Sequence, residues 1–505
     1  MRRAIAVVVL GLLAVLLPAC GNSGGKTNEA TRAAGMVPKD ALGYVSLSIN
    51  PSDAQKSDID GILAKFPKAS QKTFDGLKDQ GLTRAVKKLG LDYTTDVKPW
   101  LGPELSLAFL PNTPEPITVG LIKSDDDTKA KAALDKASKS PNFDAVYRIV
   151  NGYVVVVPKK NAATLDVISR QAQNSSTSLS EQAKFTSVVN QLSGDRLAMA
   201  WADGHALVQL AKAGIAQQLS KGKVHLNLSS IPDVGSAALD VHAVSSGAVL
   251  SGLVETPGTT GGGDFKLTND LPGDTLGALT MFNLGGTFDS VLSGILQGSP
   301  EASKAIATAQ QATGLDIRKD ILSWMRGEAV IAVGPPTTGT TPDFALQINP
   351  TDRAAAQGAI TKITSLLEQR LGIKLDQRPA PGGGTMYVFP AAIRQGIQPA
   401  MALLSDRFIL ASSPDYLTAL AKGSGGFDSS SAFKDTLGSS KSGSQFQMVL
   451  QLSSIRNYVE GLLTGANKTR YEQDVKPWID HLSAAGLRVY KDGKYTRFES
   501  KATVN

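Results

Sequence analysis

Cys20 is the residue whose type and position point most directly to a chemical modification. It is the only cysteine in the 505-residue chain, and it follows Leu17-Pro18-Ala19 after an apolar or glycine run over residues 4–17 that Arg2-Arg3 precede. That run is shorter than the roughly 20 residues of a membrane-spanning helix, and its flanks are typical of a cleaved signal. We therefore predict a lipoprotein signal peptide over residues 1–19. Cys20 then becomes the new N-terminus and carries the lipid, with palmitate as one acyl group.

Two pairs of carboxylates could perform general acid–base chemistry. Asp96 and Glu104 recur with the same spacing as Asp320 and Glu328. Acid–base catalysis requires both groups within reach of one substrate, and this spacing does not define the distance between them. The sequence shows no adjacent nucleophile and no group that would shift either pKa. We favour structural roles for all four residues, and the catalytic interpretation stays open.

The segment Asp96-Val97-Lys98-Pro99-Trp100 recurs in the same residue types as Asp474–Trp478. One interpretation is a ligand-binding box. The other is a helix start, in which the aspartate caps free amides, the proline fits the first turn and the tryptophan anchors it. We favour the helix start at both positions.

Three further patterns lack the context that their chemistry needs. The run Asp125–Asp127 is contiguous, whereas a calcium loop alternates its ligands, so it predicts a helix cap. Gly21–Gly25 fits the nucleophile-elbow pattern but has no flanking strand or helix. The four histidines are too scattered for a metal motif: His205, His225, His242 and His481. The sequence therefore gives no catalytic, cofactor-binding or metal-ligating residue, and it implies no cofactor.

Composition excludes several classes of protein. Hydrophobic residues make up 42% of the chain and charged residues 19%, which argues against both a disordered chain and a polytopic membrane protein. One cysteine cannot form an internal disulfide. The formal net charge is +7, but the basic residues are spread evenly over both halves, so we predict no nucleic-acid partner.

The two halves of the chain resemble each other. Pro38–Gly43 recurs as Pro272–Gly277, each followed by a strand-like run. Seven further residues recur in one ungapped window: Gly90-Leu91-Asp92, Asp96, Trp100, Glu104 and Ala108 match Gly314-Leu315-Asp316, Asp320, Trp324, Glu328 and Ala332. Such self-similarity indicates an internal duplication.

The repeat defines the predicted domain organisation. A flexible tether over residues 20–35 precedes the first copy at 36–255, and a Gly/Thr/Pro linker at 256–263 separates it from the second copy at 264–505. The second copy carries an insertion around Arg378 to Ala400 that the first lacks.

Predicted hairpins outnumber predicted parallel crossovers in each copy. The strongest hairpin signal is Val146–Val150 and Tyr153–Val157 around Asn151-Gly152, because this dipeptide accepts the positive φ angles of a type I′ turn. We therefore expect an α+β fold made of two tandem homologous copies. Each is a largely antiparallel sheet with helices packed on one face.

These motifs together resemble a bacterial envelope lipoprotein family, the one catalogued as domain of unknown function thirty-three fifty-two. The resemblance rests on the signal ending at Cys20, the P-x-D-x-L-G strand at Pro38–Gly43, the D-x-x-x-W-x-x-x-E element at Asp96–Glu104, and the second copies of both. It implies an extracytoplasmic location. It supplies no catalytic residues.

The function that we expect is that of a membrane-anchored extracytoplasmic lipoprotein with a non-enzymatic binding or envelope-organising role. Its partners would be the membrane, through the N-terminal lipid, and an envelope protein, a wall polymer or a lipid. An alternative is a carrier for lipid or another apolar ligand, whose cavity the apolar helix faces at Ile59–Phe66 and Phe288–Leu296 would line. A hydrolase of envelope substrates is a weaker alternative.

The predicted anchor can be tested with Cys20→Ala. Because the thioether to the lipid forms on the Cys20 sulfur, the variant is expected to leave the membrane fraction and appear in the soluble envelope fraction. Cell fractionation with immunoblotting measures this shift. Retention of the variant in the membrane fraction would contradict the prediction.

Overall fold

A computed structural model describes residues 29–69, 72–112, 115–209, 234–256, 262–390, 397–423, 425–439 and 441–505. The predicted signal peptide, Cys20, His225 and most of the predicted linker lie outside the described residues. Within them, no helix combines the length and the apolar character needed to cross a bilayer.

Eighteen strands form one antiparallel sheet. Their bounds are β1 Gly43–Ser48, β2 Leu101–Leu110, β3 Ile117–Ser124, β4 Ala145–Val150, β5 Tyr153–Pro158, β6 Ala198–Asp203, β7 Ser236–Val244, β8 Gly247–Glu255, β9 Gly277–Phe282, β10 Glu328–Gly334, β11 Asp343–Ile348, β12 Asp376–Pro379, β13 Thr385–Val388, β14 Ala400–Leu403, β15 Phe408–Ala411, β16 Ser444–Leu450, β17 Leu482–Asp492 and β18 Tyr495–Val504. Backbone pairing gives the order β4-β5-β3-β2-β1-β6-β7-β8-β18-β17-β16-β9-β10-β11-β15-β14-β13-β12. The predicted α+β class and antiparallel pairing are confirmed.

The last strands of the two halves of the chain, β8 and β18, pair with each other at the centre of the sheet. β8 pairs with β18 from Gly247 opposite Thr503 to Glu255 opposite Tyr495. Gly252 lies opposite Phe498 in this ladder, and a Cβ on Gly252 would meet the Phe498 ring at 2.6 Å. The absence of a side chain at Gly252 therefore leaves room for the Phe498 ring at the junction.

Fourteen α-helices connect these strands within the described residues. Their bounds are α1 Glu29–Arg32, α2 Asp53–Lys65, α3 Phe74–Lys87, α4 Asp127–Ala137, α5 Thr164–Gln173, α6 Ala183–Val189, α7 Leu284–Gly298, α8 Pro300–Thr313, α9 Arg353–Leu371, α10 Pro414–Lys422, α11 Ser431–Leu437, α12 Leu452–Leu462, α13 Gly465–Arg470 and α14 Lys476–Ile479. Residues 204–209 are also helical.

Helices pack on both faces of the sheet, so the expectation of helices on one face is wrong. In the first half, Val155 of β5 packs in a cluster with Ile168 of α5, whereas the adjacent Val154 packs in a cluster with Leu134 of α4. Successive side chains of a strand point to opposite faces. The unbroken valine run of β5 is therefore the signature of a strand that is covered on both faces.

Local sequence signals account for several element boundaries. Asn151 and Gly152 have φ angles of 50° and 72° in the turn between β4 and β5, which confirms the predicted hairpin. The Asp126 side chain accepts a hydrogen bond from the Lys129 amide at 3.0 Å, which confirms that the acidic run caps α4.

The last residues of the predicted flexible tether, 29–35, are helical in the structure, so the prediction is wrong for this part of the tether. Residues 29–32 form α1, and Ala33–Met36 form a 3₁₀ turn in which Ala33, Ala34 and Met36 are buried in the core of the first half. Because this segment is short and rich in alanine, it shows no apolar period in the sequence.

The predicted insertion of the second half includes an added edge hairpin. β12 and β13 pair around the turn at Gly382-Gly383-Gly384, whose φ angles are 82°, 94° and 90°. Such angles favour glycine. Residues 391–396 of the insertion lie outside the described part of the chain.

The junction between β8 and β18 predicts the effect of Gly252→Ala. The added Cβ would meet both the Phe498 ring and the Ala238 carbonyl oxygen, the latter at 2.7 Å, so overpacking should lower the free energy of unfolding by about 1–3 kcal/mol. Gly61→Ala is the matched control, because this glycine lies in α2 with nothing within 4 Å of an added Cβ, and alanine favours a helix. Urea unfolding measures both variants. Equal stabilities would contradict the tight junction.

Candidate functional site

The exposed apolar strand residues of the structure share one face of the sheet. Opposite residues of a ladder lie on the same face. A row that is apolar except for Ser500 runs from Leu250 through Ser500, Leu487, Met448, Leu279, Ile331 and Leu346 to Leu410. The six large apolar strand residues with high exposure lie on this face, which we call the open face: Leu239, Leu250, Ile331, Val333, Phe344 and Leu410. The opposite face, which we call the covered face, packs against helices in both halves.

A groove with a volume of about 360 Å³ lies on the open face. Its floor comes from β9, β10 and β16, and one wall comes from α12. The lining residues are Leu276, Gly277, Ala278, Leu279, Ile331, Val333, Pro342, Met448, Leu450, Ile455, Tyr458 and Val459. Only Tyr458 among them has a polar side chain, and its hydroxyl donates a hydrogen bond to the Thr340 carbonyl oxygen.

The lining of the groove is chemically suited to contact with an apolar molecule. A volume of about 360 Å³ falls in the usual range of roughly 300–1,000 Å³ for ligand pockets. No lining residue is charged, so affinity must come from burial of apolar surface, at about 0.8 kcal/mol per methylene group. Gly277 keeps the floor open, because a Cβ at that position would lie 2.7 Å from the Leu450 side chain.

The helix faces that the sequence suggested as cavity linings lie elsewhere. Ile59 and Leu63 of α2 are buried in a small core cluster. Phe288, Val291 and Ile295 of α7 are more than half exposed. Sequence reasoning missed the groove itself, and its only local signals were the apolar residues of β10 at alternating positions and those of α12 at helical spacing.

Asp96 and Asp320 hold matching π-helical turns, Tyr93–Val97 and Ile317–Leu322. The Asp96 carboxylate accepts the Asp92 amide at 2.8 Å and pairs with Lys136 at 2.6 Å. Asp320 does the same with Asp316 and Lys362. The hydrogen bond from the Lys136 ammonium lowers the pKa of Asp96, as an ion-paired carboxylate requires.

The side chain that caps the start of this turn belongs to an earlier residue than the sequence predicted. Asp92, rather than Asp96, accepts the amide hydrogen bond that starts the turn, from Thr95 at 2.9 Å. Trp100 is buried and donates its indole N–H to the Asp96 carbonyl at 2.7 Å. The tryptophan therefore anchors the turn, as the structural interpretation predicts.

The second DVKPW segment has a different environment. Val475 lies in a π-helical turn, and Pro477 occupies the first turn of α14, as expected. Asp474 makes no capping hydrogen bond there, and Trp478 is nearly half exposed. The identical residue types therefore do not give one shared binding box.

Glu104 lies on the covered face within a cluster of hydroxyl groups. Its carboxylate accepts hydrogen bonds from Tyr153 at 2.8 Å, Ser106 at 2.7 Å, and Tyr44 and Ser46 at 3.2 Å. Burial raises the pKa of Glu104, and these hydrogen bonds oppose part of the rise.

Glu328 occupies a similar buried position in the second half, with different partners. It accepts the backbone amides of Lys266 and Leu267 at 2.8–2.9 Å. Burial raises its pKa as well. Neither glutamate shares a hydrogen-bond partner with the aspartate of its pair, so the structure does not assemble a two-carboxylate site.

The other titratable candidates are dispersed. The His242 imidazole pairs with Asp240 at 2.7 Å, and His481 bonds to the Asn505 carbonyl at 3.0 Å. The described residues contain no group of three or more side chains placed to hold a metal ion.

The buried glutamate predicts a pH dependence of stability. Because the native pKa of Glu104 is raised, the native state binds this proton more tightly than the unfolded chain. Ionisation then costs stability as pH rises above the unfolded value of about 4.3. The stability of Glu104→Gln relative to the parent protein should therefore increase over that window, measured by urea unfolding at a series of pH values.

Glu499→Gln is the control with the opposite sign. Burial alone would raise its pKa, but hydrogen bonds from Lys441, Tyr490 and Arg488 hold it at about 2. Its stabilising charge is present above the unfolded pKa and is lost as pH falls. The stability of Glu499→Gln relative to the parent protein should therefore decrease as pH rises. Parallel pH curves for the two variants would contradict both assignments.

Comparison with known proteins gives a family and no close relative. The curated proteins contain no match to this chain, and neither do the solved structures. The family described as "Protein of unknown function (DUF3352)" matches residues 3–462, which is most of the sequence and includes the groove floor and α12. The chain therefore belongs to the DUF3352 family of proteins of unknown function.

Proposed function

We propose that this protein is a membrane-anchored extracytoplasmic lipoprotein that binds an apolar ligand, such as an acyl chain, without catalysing a reaction. The observation that carries this proposal is the groove on the open face, whose twelve lining residues are apolar or glycine except for Tyr458. Such a surface excludes charged and strongly polar ligands because it offers them no partner.

The sequence supports the location. The apolar run of residues 4–17, the small residue Ala19 and the single Cys20 fit a lipid anchor at the N-terminus of the mature chain. Two acyl chains on such an anchor are sufficient for stable membrane association. A groove for acyl chains would then work beside a bilayer, which is a source of that ligand.

We also propose that residues 36–255 and 264–505 are tandem homologous copies. Two observations support this. First, the two halves have the same strand order when each is followed from the outer edge of the sheet to the β8–β18 pair at its centre. The first half reads β4-β5-β3-β2-β1-β6-β7-β8 and the second reads β14-β15-β11-β10-β9-β16-β17-β18, with β13 and β12 added at the outer edge. Second, a 3₁₀ turn precedes the first strand of each half, at Ala33–Met36 and at Leu267–Asp270. The two turns are separated by the same number of residues as the matched prolines, Pro38 and Pro272.

The proposed copies differ at the groove. Ile331 of β10 is 44% exposed, whereas Leu107, its equivalent in β2, is 6% exposed. The same sheet position therefore carries an accessible apolar surface in the second copy and a covered one in the first. This difference supports a ligand-binding role for the second copy at this position and a purely structural role for the first.

The groove predicts a loss of affinity for Val333→Asp. Val333 is 38% exposed, so the charge should disturb binding more than folding, and an unpartnered carboxylate in the groove should weaken binding of a fluorescent fatty acid at least about tenfold. Val167→Asp is the matched control, because Val167 of α5 is 40% exposed and does not line the groove. Fluorescence titration measures both, and thermal melts verify folding.

Equal affinities for the two variants would contradict the assignment of the groove. Absence of binding to the parent protein would contradict the proposed function.

A further inference from the structure

A bridge of helices crosses from β16 to β17 over residues 452–479. It consists of α12, α13, a π-helical turn at Tyr471–Val475, and α14. No residue of these four pieces is buried. A segment of this length without a buried side chain has little packing to hold it in place. We call residues 452–479 the bridge.

The underside of the bridge forms one wall of the groove. Ile455, Tyr458 and Val459 of α12 lie among the lining residues, and no other part of the bridge does. Movement of α12 away from the sheet would therefore open the groove along its length. The floor on β9, β10 and β16 would stay in place, because sheet hydrogen bonds hold it.

Polar contacts inside the bridge tie its two ends together. The Arg456 guanidinium donates to the carbonyl oxygens of Ile479 at 3.1 Å and Leu482 at 3.2 Å. Glu460 accepts a hydrogen bond from the Tyr471 hydroxyl at 3.0 Å and pairs with Lys476 at 3.2 Å. These contacts connect α12 to the returning chain and to the first residue of β17, so they hold the bridge together as one unit at its attachment to the sheet.

Besides the bond from Arg456 to Leu482 of β17, two exposed polar contacts fasten the bridge to the rest of the protein. The Tyr458 hydroxyl bonds to the Thr340 carbonyl oxygen in the loop between β10 and β11. The Lys68 ammonium, which comes from the first half of the chain, donates to the Gln473 carbonyl at 2.8 Å and lies 6.0 Å from the Trp478 ring centroid. Solvent-exposed hydrogen bonds contribute little net free energy, so these contacts can act as latches.

We infer that the bridge is a lid that swings away from the sheet to admit and release the apolar ligand. The inference rests on the proposed function of the groove. In the closed state Ile455 and Val459 cover the ligand, and in the open state the floor faces solvent or a membrane. The Lys68 latch connects the first half of the chain to this lid, which belongs to the second half.

A crosslink across the Lys68 latch tests the lid. The full-length chain with Cys20→Ser contains no other cysteine, so Lys68→Cys and Gln473→Cys can be joined specifically by a bismaleimide. The probe is a fluorescent fatty acid, and the readout is its release to acceptor vesicles. The crosslinked protein is expected to release it roughly tenfold more slowly than the uncrosslinked one, because opening becomes rate-limiting.

The control crosslink joins Glu255→Cys at the end of β8 and Lys494→Cys in the turn before β18, whose parent side chains pair at 2.7 Å. It connects the two halves without touching the bridge, so release should not slow. A second comparison uses Tyr458→Phe and Tyr471→Phe. Loss of the latch hydroxyl at 458 should speed release several-fold, and loss of the internal hydroxyl at 471 should not.

The outcomes separate the lid from the proposed function. Fatty acid that binds normally but leaves at the same rate from the latched and control proteins overturns the lid and leaves the binding function standing. Failure of the parent protein to bind the probe overturns both.

Discussion

The need to cover a very wide antiparallel sheet governs the rest of this structure. Each strand presents side chains to both faces, and eighteen strands pair into one sheet. Helices of both halves bury the covered face, with Ile168 of α5 in one core and Leu417 of α10 in the other. The open face is buried only in part, by α2, α4 and α9 and their neighbours. What remains exposed is the apolar row that leads to the groove.

Polar side chains are distributed between the faces in a way that supports this division. Glu104 and Glu328 lie buried on the covered face with complete sets of donors. At the junction, Arg488 pairs with Glu499 at 3.1 Å on that same face. Buried polar groups with partners fix the register of a sheet, because a shift by one residue would leave them unpaired. The open face carries no comparable network in the groove, where apolar contact dominates.

The sequence predicted the elements that depend on local chemistry. The Asn151-Gly152 turn and the Asp126 cap follow from the preferences of single residues, and the Trp100 anchor was recognised as structural. The expectation of helices on one face was wrong, because it was drawn from the hairpins and not from the unbroken run Val154–Val157, which is typical of a strand covered on both faces. The cap at Asp92 was missed, since the π-helical turn shifts the start of the element.

The groove could not be predicted because its parts meet only in the folded sheet. Leu279, Ile331 and Met448 are far apart in sequence and become neighbours through the pairing of β9 with β10 and β16. The stripe of Phe288, Val291 and Ile295 has the spacing of a core-facing helix, yet these residues are exposed. Periodicity indicates which residues share a face, and it does not indicate whether another element covers that face.

The central claim is that the groove of the anchored protein holds an apolar molecule. The most direct measurement is native mass spectrometry of the full-length protein released from its own envelope, with solvent extraction in parallel. The account predicts one additional lipid-sized mass per chain, beyond the covalent anchor, that extraction removes and identifies. A mass equal to the processed and acylated chain alone would contradict the account.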